Sequence, residues 1–312
     1  MAISFKAFAV AMAAVSLAGC ATAPDPPRTY ASPPPARGFA PPDRGLAIQA
    51  SAFESFMRHA RGIDPGFSSP SDVAEALQTG AGHTPNELES GMIAYAALAA
   101  LQEPRFVAAV RAERDRGGLA RQLAADPRTA LTLPGGEAAG ARASGALYVQ
   151  GSALLTDGER VKHAAYSVQR QVWARARVAD AAGRLSRVKR ISAAGYQPSR
   201  EDAGELRTSL SQGARRGGAA SAVVAHGVAL AALTVLGEDG KARSLMSEPR
   251  SGSCLRLAKL NLYQCLASAG PHYEDIYCLG QHAMMDPGQC VVDATHATGA
   301  RQMTVTRASY RR

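Results

Sequence analysis

Four cysteines crowded into 37 residues, Cys254, Cys265, Cys278 and Cys290, constrain this chain's fold more than any other feature. An even cluster in an exported protein implies disulfides. Cys254 and Cys265 lie eleven positions apart, about 20° beyond three whole helical turns, so both sit on one face of a helix over 255–266. Gly270-Pro271 breaks that helix. A second begins near His272, carries Cys278 and stops near Asp286-Pro287-Gly288. Two antiparallel helices with this layout pair Cys265 with Cys278 near the turn and Cys254 with Cys290 at the open end. Four cysteines allow two other pairings. Zinc is the competing reading, because Cys278 and His282 are one turn apart, His272 and Asp275 are close, and Cys254 and Cys265 would complete a tetrahedral site. No CxxC pair is present, and export favours bridges.

The signs of export are at the other end. Lys6 precedes an apolar run, 7–17, that is too short for a mature membrane span but suits a secretory signal. Leu17-Ala18-Gly19-Cys20 closes it and resembles the lipobox of bacterial lipoproteins: an aliphatic residue, two small residues, then Cys. The resemblance is confined to the first twenty residues. It implies cleavage before Cys20 and acylation of Cys20, hence a lipid anchor in a membrane. Ala21 then implies sorting to the outer membrane, with the domain facing the periplasm. The paired cysteines resemble, in architecture only, the helical hairpins of other exported or intermembrane-space proteins. The intervening spacings here are ten, twelve and eleven, so no function is carried across.

Residues 21–45 hold eight prolines. Proline fixes φ and lacks a donor, so this is an extended tether that covers several tens of Å at roughly 3 Å per residue. The expected organisation is a signal peptide at 1–19, a tether at 20–45, an α-helical domain at 46–250, a Cys-rich helical hairpin packed on it at 251–296, and a basic tail at 297–312. The fold class is all-α, a helical bundle with a C-terminal disulfide-linked hairpin. Aromatic content is only 5%, and much of the apolar content is alanine, which suits closely packed helices better than a sheet.

Helix signals are dense. Residues 50–61 place Phe53, Phe56, Met57 and Ala60 on one face. Ser69-Pro70-Ser71-Asp72 reads as an N-cap followed by proline at N1, with Gly80 as the stop. Thr84-Pro85-Asn86-Glu87 reads as a capping box opening a helix to about Gln102. Gly117-Gly118 and Pro127 divide 105–126, and a long helical pattern over 137–192 is divided at Gly158 and Gly183. The segment 219–236 carries no formal charge over eighteen residues, which is the length of a membrane span. Its Ala/Val content, with His226 and Gly227, reads instead as the central helix of a bundle. Ala-Leu-Ala-Ala-Leu occurs at both 97–101 and 229–233.

Function is less legible. Formal charge is +9, and removing Lys6 with the signal leaves +8. An exported basic protein meets lipid headgroups, lipopolysaccharide phosphates and acidic wall polymers rather than nucleic acid. Seven basic residues between Arg170 and Arg190, against Asp180 alone, form the outer face of a helix. Its buried stripe is Val161, Ala165, Val168, Val172, Ala176 and Ala179. This is either a solvated face or an anion-binding or membrane-surface one built from Arg170, Arg177, Arg184 and Arg187. No HExxH, GxSxG, Walker or Rossmann motif occurs, so no catalytic residue, cofactor or metal is expected. Glu89-Ser90 resembles the pair that opens the motif of soluble lytic transglycosylases, but the stretches that follow in that family are missing, and Glu89 reads as a solvated residue of its helix. His163 and His226 read as packing residues. The expectation is an outer-membrane lipoprotein acting as a non-catalytic interaction or scaffold module, with envelope proteins or anionic polymers as partners. A cell-wall enzyme of transglycosylase type and a small-ligand or metal-binding module are the alternatives.

Overall fold

Alanine and glycine set the spacing between the helices. The computed structural model describes residues 44–114, 117–197, 199 and 201–296. The signal, Cys20, nearly all of the tether and the basic tail lie outside the described residues. Within them the chain is all-α, and no strand forms. An isolated antiparallel bridge joins Arg177 and Pro271.

Helix α1 (Arg44–Arg61) buries Phe53, Phe56, Met57 and Ala60, the face read from the sequence. Helix α2 (Pro70–Ala81) starts where Ser69 accepts the N–H of Asp72, and the Asp72 carboxylate bonds back to the Ser69 N–H, closing a capping box. Helix α3 (Pro85–Ala100) begins with Thr84 accepting the Glu87 N–H at 3.1 Å. Only half of the expected box forms, because the Glu87 carboxylate turns away to accept the N–H of Tyr196 at 2.7 Å. Shorter helices follow: α4 (Pro104–Ala112), α5 (Leu119–Ala125) and α6 (Thr129–Thr132).

Helix α7 (Gly136–Val168) then runs for 33 residues, roughly 50 Å, straight through Gly158. The expected break at Gly158 is absent. That glycine instead admits a neighbouring helix: a Cβ there would lie 2.8 Å from the Cβ of Met284. The chain leaves the helix only after Val168, through the single turn α8 (Val172–Arg175), and resumes as α9 (Ala181–Ala193). Asp180 caps α9 by accepting the Gly183 N–H at 2.8 Å, so Gly183 lies within a helix rather than dividing one. Helix α10 (Asp202–Ser211) follows.

The uncharged segment forms α11 (Ala222–Leu236), capped by Ser221 and ended by Gly237 at φ 77°. No described helix is long and apolar enough to cross a membrane. The two Ala-Leu-Ala-Ala-Leu segments sit on α3 and α11, which pack on one another at the centre. A Cβ on Gly227 would lie 2.7 Å from the Cβ of Ala96.

After α12 (Asp239–Ala242) and a 3-10 turn, the chain ends in the hairpin. Its first arm is α13 (Pro249–Ser268). The second arm runs unbroken from α14 (His272–Cys278) through a π-helical segment (Leu279–Met285) into α15 (Asp286–Asp293). Cys254 is bonded to Cys290 and Cys265 to Cys278, the nested pairing. The expected stop at Asp286-Pro287-Gly288 does not occur. Proline lacks the i→i−4 donor and its ring crowds the carbonyl four residues back. The wider π turns immediately before Pro287 relieve both, and the helix continues.

The second arm lies along α7 with glycine facing glycine. A Cβ on Gly280 would lie 2.4 Å from the backbone N of Lys162, and one on Gly151 would lie 2.9 Å from the carbonyl O of Gly288. Backbone cannot yield as a side chain does, so Gly280→Ala should destabilise the protein by about 2–3 kcal/mol. Gly204, exposed in α10 with nothing within 4 Å of an added Cβ, should tolerate alanine with a gain of about 0.5–1 kcal/mol. Urea midpoints of the two variants test this, and equal midpoints would refute the close approach.

Candidate functional site

A cleft of about 1150 Å³ opens between α1, α2, residues of the loop 62–67, His83, and residues 191, 194–197, 199, 201 and 202. It is assembled from parts of the sequence more than a hundred residues apart. Six carboxylates line it: Asp64, Asp72, Glu75, Glu87, Glu201 and Asp202. Among the described lining residues Arg58 is the permanent cation, and His59 and His83 also line the cleft. The described lining is therefore acidic in a chain whose formal charge is +9.

One wall is a tied network. Arg58, from α1, donates to Glu54 at 3.1 Å and to Asp202 at 2.9 Å. The Tyr196 hydroxyl donates to Asp202 at 2.5 Å, and the Ser199 N–H donates to the same carboxylate at 2.8 Å. Burial pushes Asp202 up, but the bonds from Tyr196 and Ser199 and the charge of Arg58 outweigh it and hold the carboxyl below its usual value. Burial raises Glu54, against the pull of Arg58. Burial, the bond to Asp202 and that residue's charge raise the Tyr196 phenol. Asp72 is held down at about 2 by bonds from Ser69 and Ser68.

The floor holds buried base. The rings of Phe56 and His83 pack with centroids 4.1 Å apart, tilted by 51°. Behind them Lys259, from α13, is 5% exposed and donates to the carbonyl of Ala81 at 3.0 Å, with His83 Nδ1 and Ser192 Oγ each at 3.4 Å. Ala81 ends α2, so the ammonium caps that helix's negative end. Burial pulls Lys259 down to about 7, and burial followed by the charge of Lys259 pulls His83 well below its usual value. The Ser192 hydroxyl donates to Ala81 O at 3.0 Å, so it is spent on the same cap rather than aimed at the cleft.

The residues singled out from sequence scatter. All four thiols of the zinc reading are consumed in disulfides. Among the described residues no group of three or more His, Cys, Asp or Glu is arranged to hold a metal. Arg170, Arg177 and Arg187 are exposed, and Arg187 approaches Asp180 at 3.6 Å. Arg184 is not on that surface. It is 5% exposed and pairs with Asp275 at 2.5 Å while donating to the carbonyls of Leu266 and Ala269. Those carbonyls end α13 and Asp275 lies in the first turn of α14, so Arg184 staples the hairpin bend. Burial pushes the Asp275 carboxyl up to about 6, against the opposing charge of Arg184.

The expected stripe over 161–179 is only half buried. Val161, Ala165 and Val168 are inside, but Val172, Ala176 and Ala179 are exposed, because the helix ends between them. Glu89 is not solvated either. It is 3% exposed and accepts from Ser247 Oγ at 3.1 Å and from the Glu248 N–H at 2.5 Å. The carboxylate thus sits on the positive end of α13. His163 lies edge-on to Tyr166, and His226 Nδ1 meets the Leu245 carbonyl at 3.1 Å.

The cleft carries no sequence motif, since its parts meet only in three dimensions. One signal was present: Lys259 falls between Leu255 and Leu262, on the buried stripe of α13, where a cation is out of place unless partnered. Comparison with protein-family models, with curated proteins and with solved structures finds no match.

Lys259 gives the fold a definite pH dependence. Its amine is charged up to about pH 10.5 in the unfolded chain but only up to about 7 in the folded one. Over that window the unfolded chain binds the extra proton, so this group's contribution to stability rises with pH and falls as pH drops toward 7. Lys259→Met should therefore raise the melting temperature at pH 7, and the gain should shrink steadily toward pH 10. A gain independent of pH would mean that the amine is charged in both states.

Proposed function

We propose that the chain is a lipid-anchored protein of the bacterial outer membrane whose helical domain faces the periplasm and acts as a non-catalytic interaction module. The cleft is where it receives its partner. The observation that carries this is the chemistry of the cleft wall. Its inward polar groups, Arg58, Asp202 and Tyr196, are bonded to one another and, through Arg58, to Glu54, while the exposed carboxylates Asp64, Glu75 and Glu201 stand at the surface. Such a surface recognises cationic side chains of a partner protein by shape and charge. Among the described lining residues one serine meets a histidine, Ser55 Oγ and His59 Nδ1 at 3.3 Å, and that serine is 5% exposed, which favours binding over acyl transfer. Burial of Glu89 at the start of α13 weighs against the transglycosylase-like reading.

The anchor rests on the residues 17–20. Cys20→Ser should block acylation and move the protein from the membrane to the soluble fraction, because no described helix can span a bilayer. A variant that still pellets as an integral membrane protein would refute the anchor. For the cleft, a photo-crosslinking residue in place of Gln78 or Gln197, both in its lining, should capture defined envelope proteins in intact cells. The same residue in place of exposed Arg121 in α5 should not. Identical adducts from all three positions would overturn the assignment of the cleft.

A further inference from the structure

Between α7 and α9 the chain turns outward. No acidic residue occurs from Val161 to Ala179, while Lys162, Arg170, Arg175 and Arg177 do. The single turn α8 lifts Val172 to 89% exposure, the highest of any large apolar side chain described. Beside it, partly buried, is Trp173, the chain's one tryptophan, whose indole N–H donates to Gln171 Oε1 at 2.5 Å. Arg170, Arg175 and Arg177 flank the pair and are exposed. Tyr166, 52% exposed, stands on the last turn of α7 and lines with Tyr273 and Tyr277 a groove of about 360 Å³ that includes Gln169.

This lip is firmly held. The Val178 N–H donates to the Gly270 carbonyl at 2.9 Å, and the His272 N–H donates to the Ala176 carbonyl at 3.3 Å. The carboxylates nearby are engaged: Glu274 accepts the Gly270 N–H, Asp275 pairs with Arg184, and Asp180 caps α9. Arg170, Arg175 and Arg177 are exposed and in no ion pair among the described residues, while Glu274, bonded to Gly270, lines the neighbouring groove.

We propose that the lip 169–178 docks the domain onto an anionic phospholipid bilayer. Each part suits one depth of that interface. A valine raised into water costs free energy that the acyl boundary returns. Indole and phenol rings settle at headgroup level, with their polar tips wet and their bodies apolar. The arginines meet lipid phosphates, each worth about fivefold in affinity near an anionic surface. The inference rests on the lipid-anchor reading for bringing a bilayer near, but not for the chemistry of the surface. From Cys20 to Arg44 there are 24 residues, which reach about 75 Å at 3.1 Å each. A tether of that reach lets this face turn to the membrane and makes docking intramolecular.

Trp173 reports the contact directly. The protein purified from envelopes is reconstituted into vesicles of brominated phosphatidylcholine, with or without about a third phosphatidylglycerol. Trp173 emission should shift to the blue and be quenched in the anionic vesicles only. The variant Arg170→Glu/Arg175→Glu/Arg177→Glu should weaken docking by at least about 100-fold, from the fivefold per residue above. Val172→Asp, a change at a fully solvated position, should also abolish the quenching, with far-UV circular dichroism unchanged. Arg121→Glu/Arg207→Glu, exposed elsewhere, should match the wild type. Equal quenching in neutral vesicles, or undiminished quenching in the triple variant, overturns the proposal. So does a Trp173 shift produced by cell-wall sacculi but not by vesicles. Intact mass shows separately whether Cys20 carries acyl chains, and protein without them can be added to the same vesicles, so failure of the anchor and failure of the lip are distinguishable.

Discussion

Contact of backbone against backbone along α7 is the constraint on which the rest of the molecule depends. Gly151 and Gly158 on α7 face Gly288 and the 280–285 stretch of the hairpin's second arm. Where α3 crosses α11, Gly227 admits Ala96 in the same way. A chain with few aromatic residues buries little area per side chain, so it gains cohesion by bringing helix axes close and multiplying small van der Waals contacts. Close packing of this kind fixes rotation and register together, because a helix turned by one residue presents a Cβ where only a hydrogen fits.

Helix ends in this protein are satisfied by side chains that arrive from far away in sequence. Lys259 reaches the last carbonyl of α2, Arg184 the last carbonyls of α13, and Glu89 the first amide of α13. Each puts charge of the favourable sign on a helix terminus. Part of the basic surplus thus serves the interior; removing Arg184 would leave Asp275 buried and unpaired, a larger loss than the bond itself, whereas replacing Lys259 leaves the Ala81 carbonyl bonded to Ser192. The two disulfides add about 4 and 3 kcal/mol in the chain-entropy model for separations of 36 and 13 residues.

Local signals were legible where local physics decides. Ser69, Thr84 and the glycine pair at 117–118 marked their boundaries, and the period of the cysteines gave the nested bridges. Signals failed where tertiary contact overrode propensity. Gly158 reads as a breaker yet serves as a contact, and Pro287 reads as a stop yet follows a π turn. Arg184 reads as surface by composition and is buried by its partner, Asp275, which lies 91 positions away. Burial of Glu89 depends likewise on the start of a helix 159 positions further on. The acidic cleft was invisible for the same reason: its carboxylates are spread over two stretches, 64–87 and 201–202, that only the packed helices bring together.

The π-helical segment 279–285 has a consequence for the covalent structure of the chain. Wide turns delay every later residue by a fraction of a turn, which amounts to one extra residue accommodated without a loop. Were the arm α-helical throughout with the same number of residues, Cys290 would swing about 100° around the axis and its sulfur would point away from Cys254. Gly288 would leave Gly151 by the same rotation. The irregular turns act as a phase adjuster: they let a single arm satisfy one bridge at the bend, a second at the open end, and the glycine contact between them.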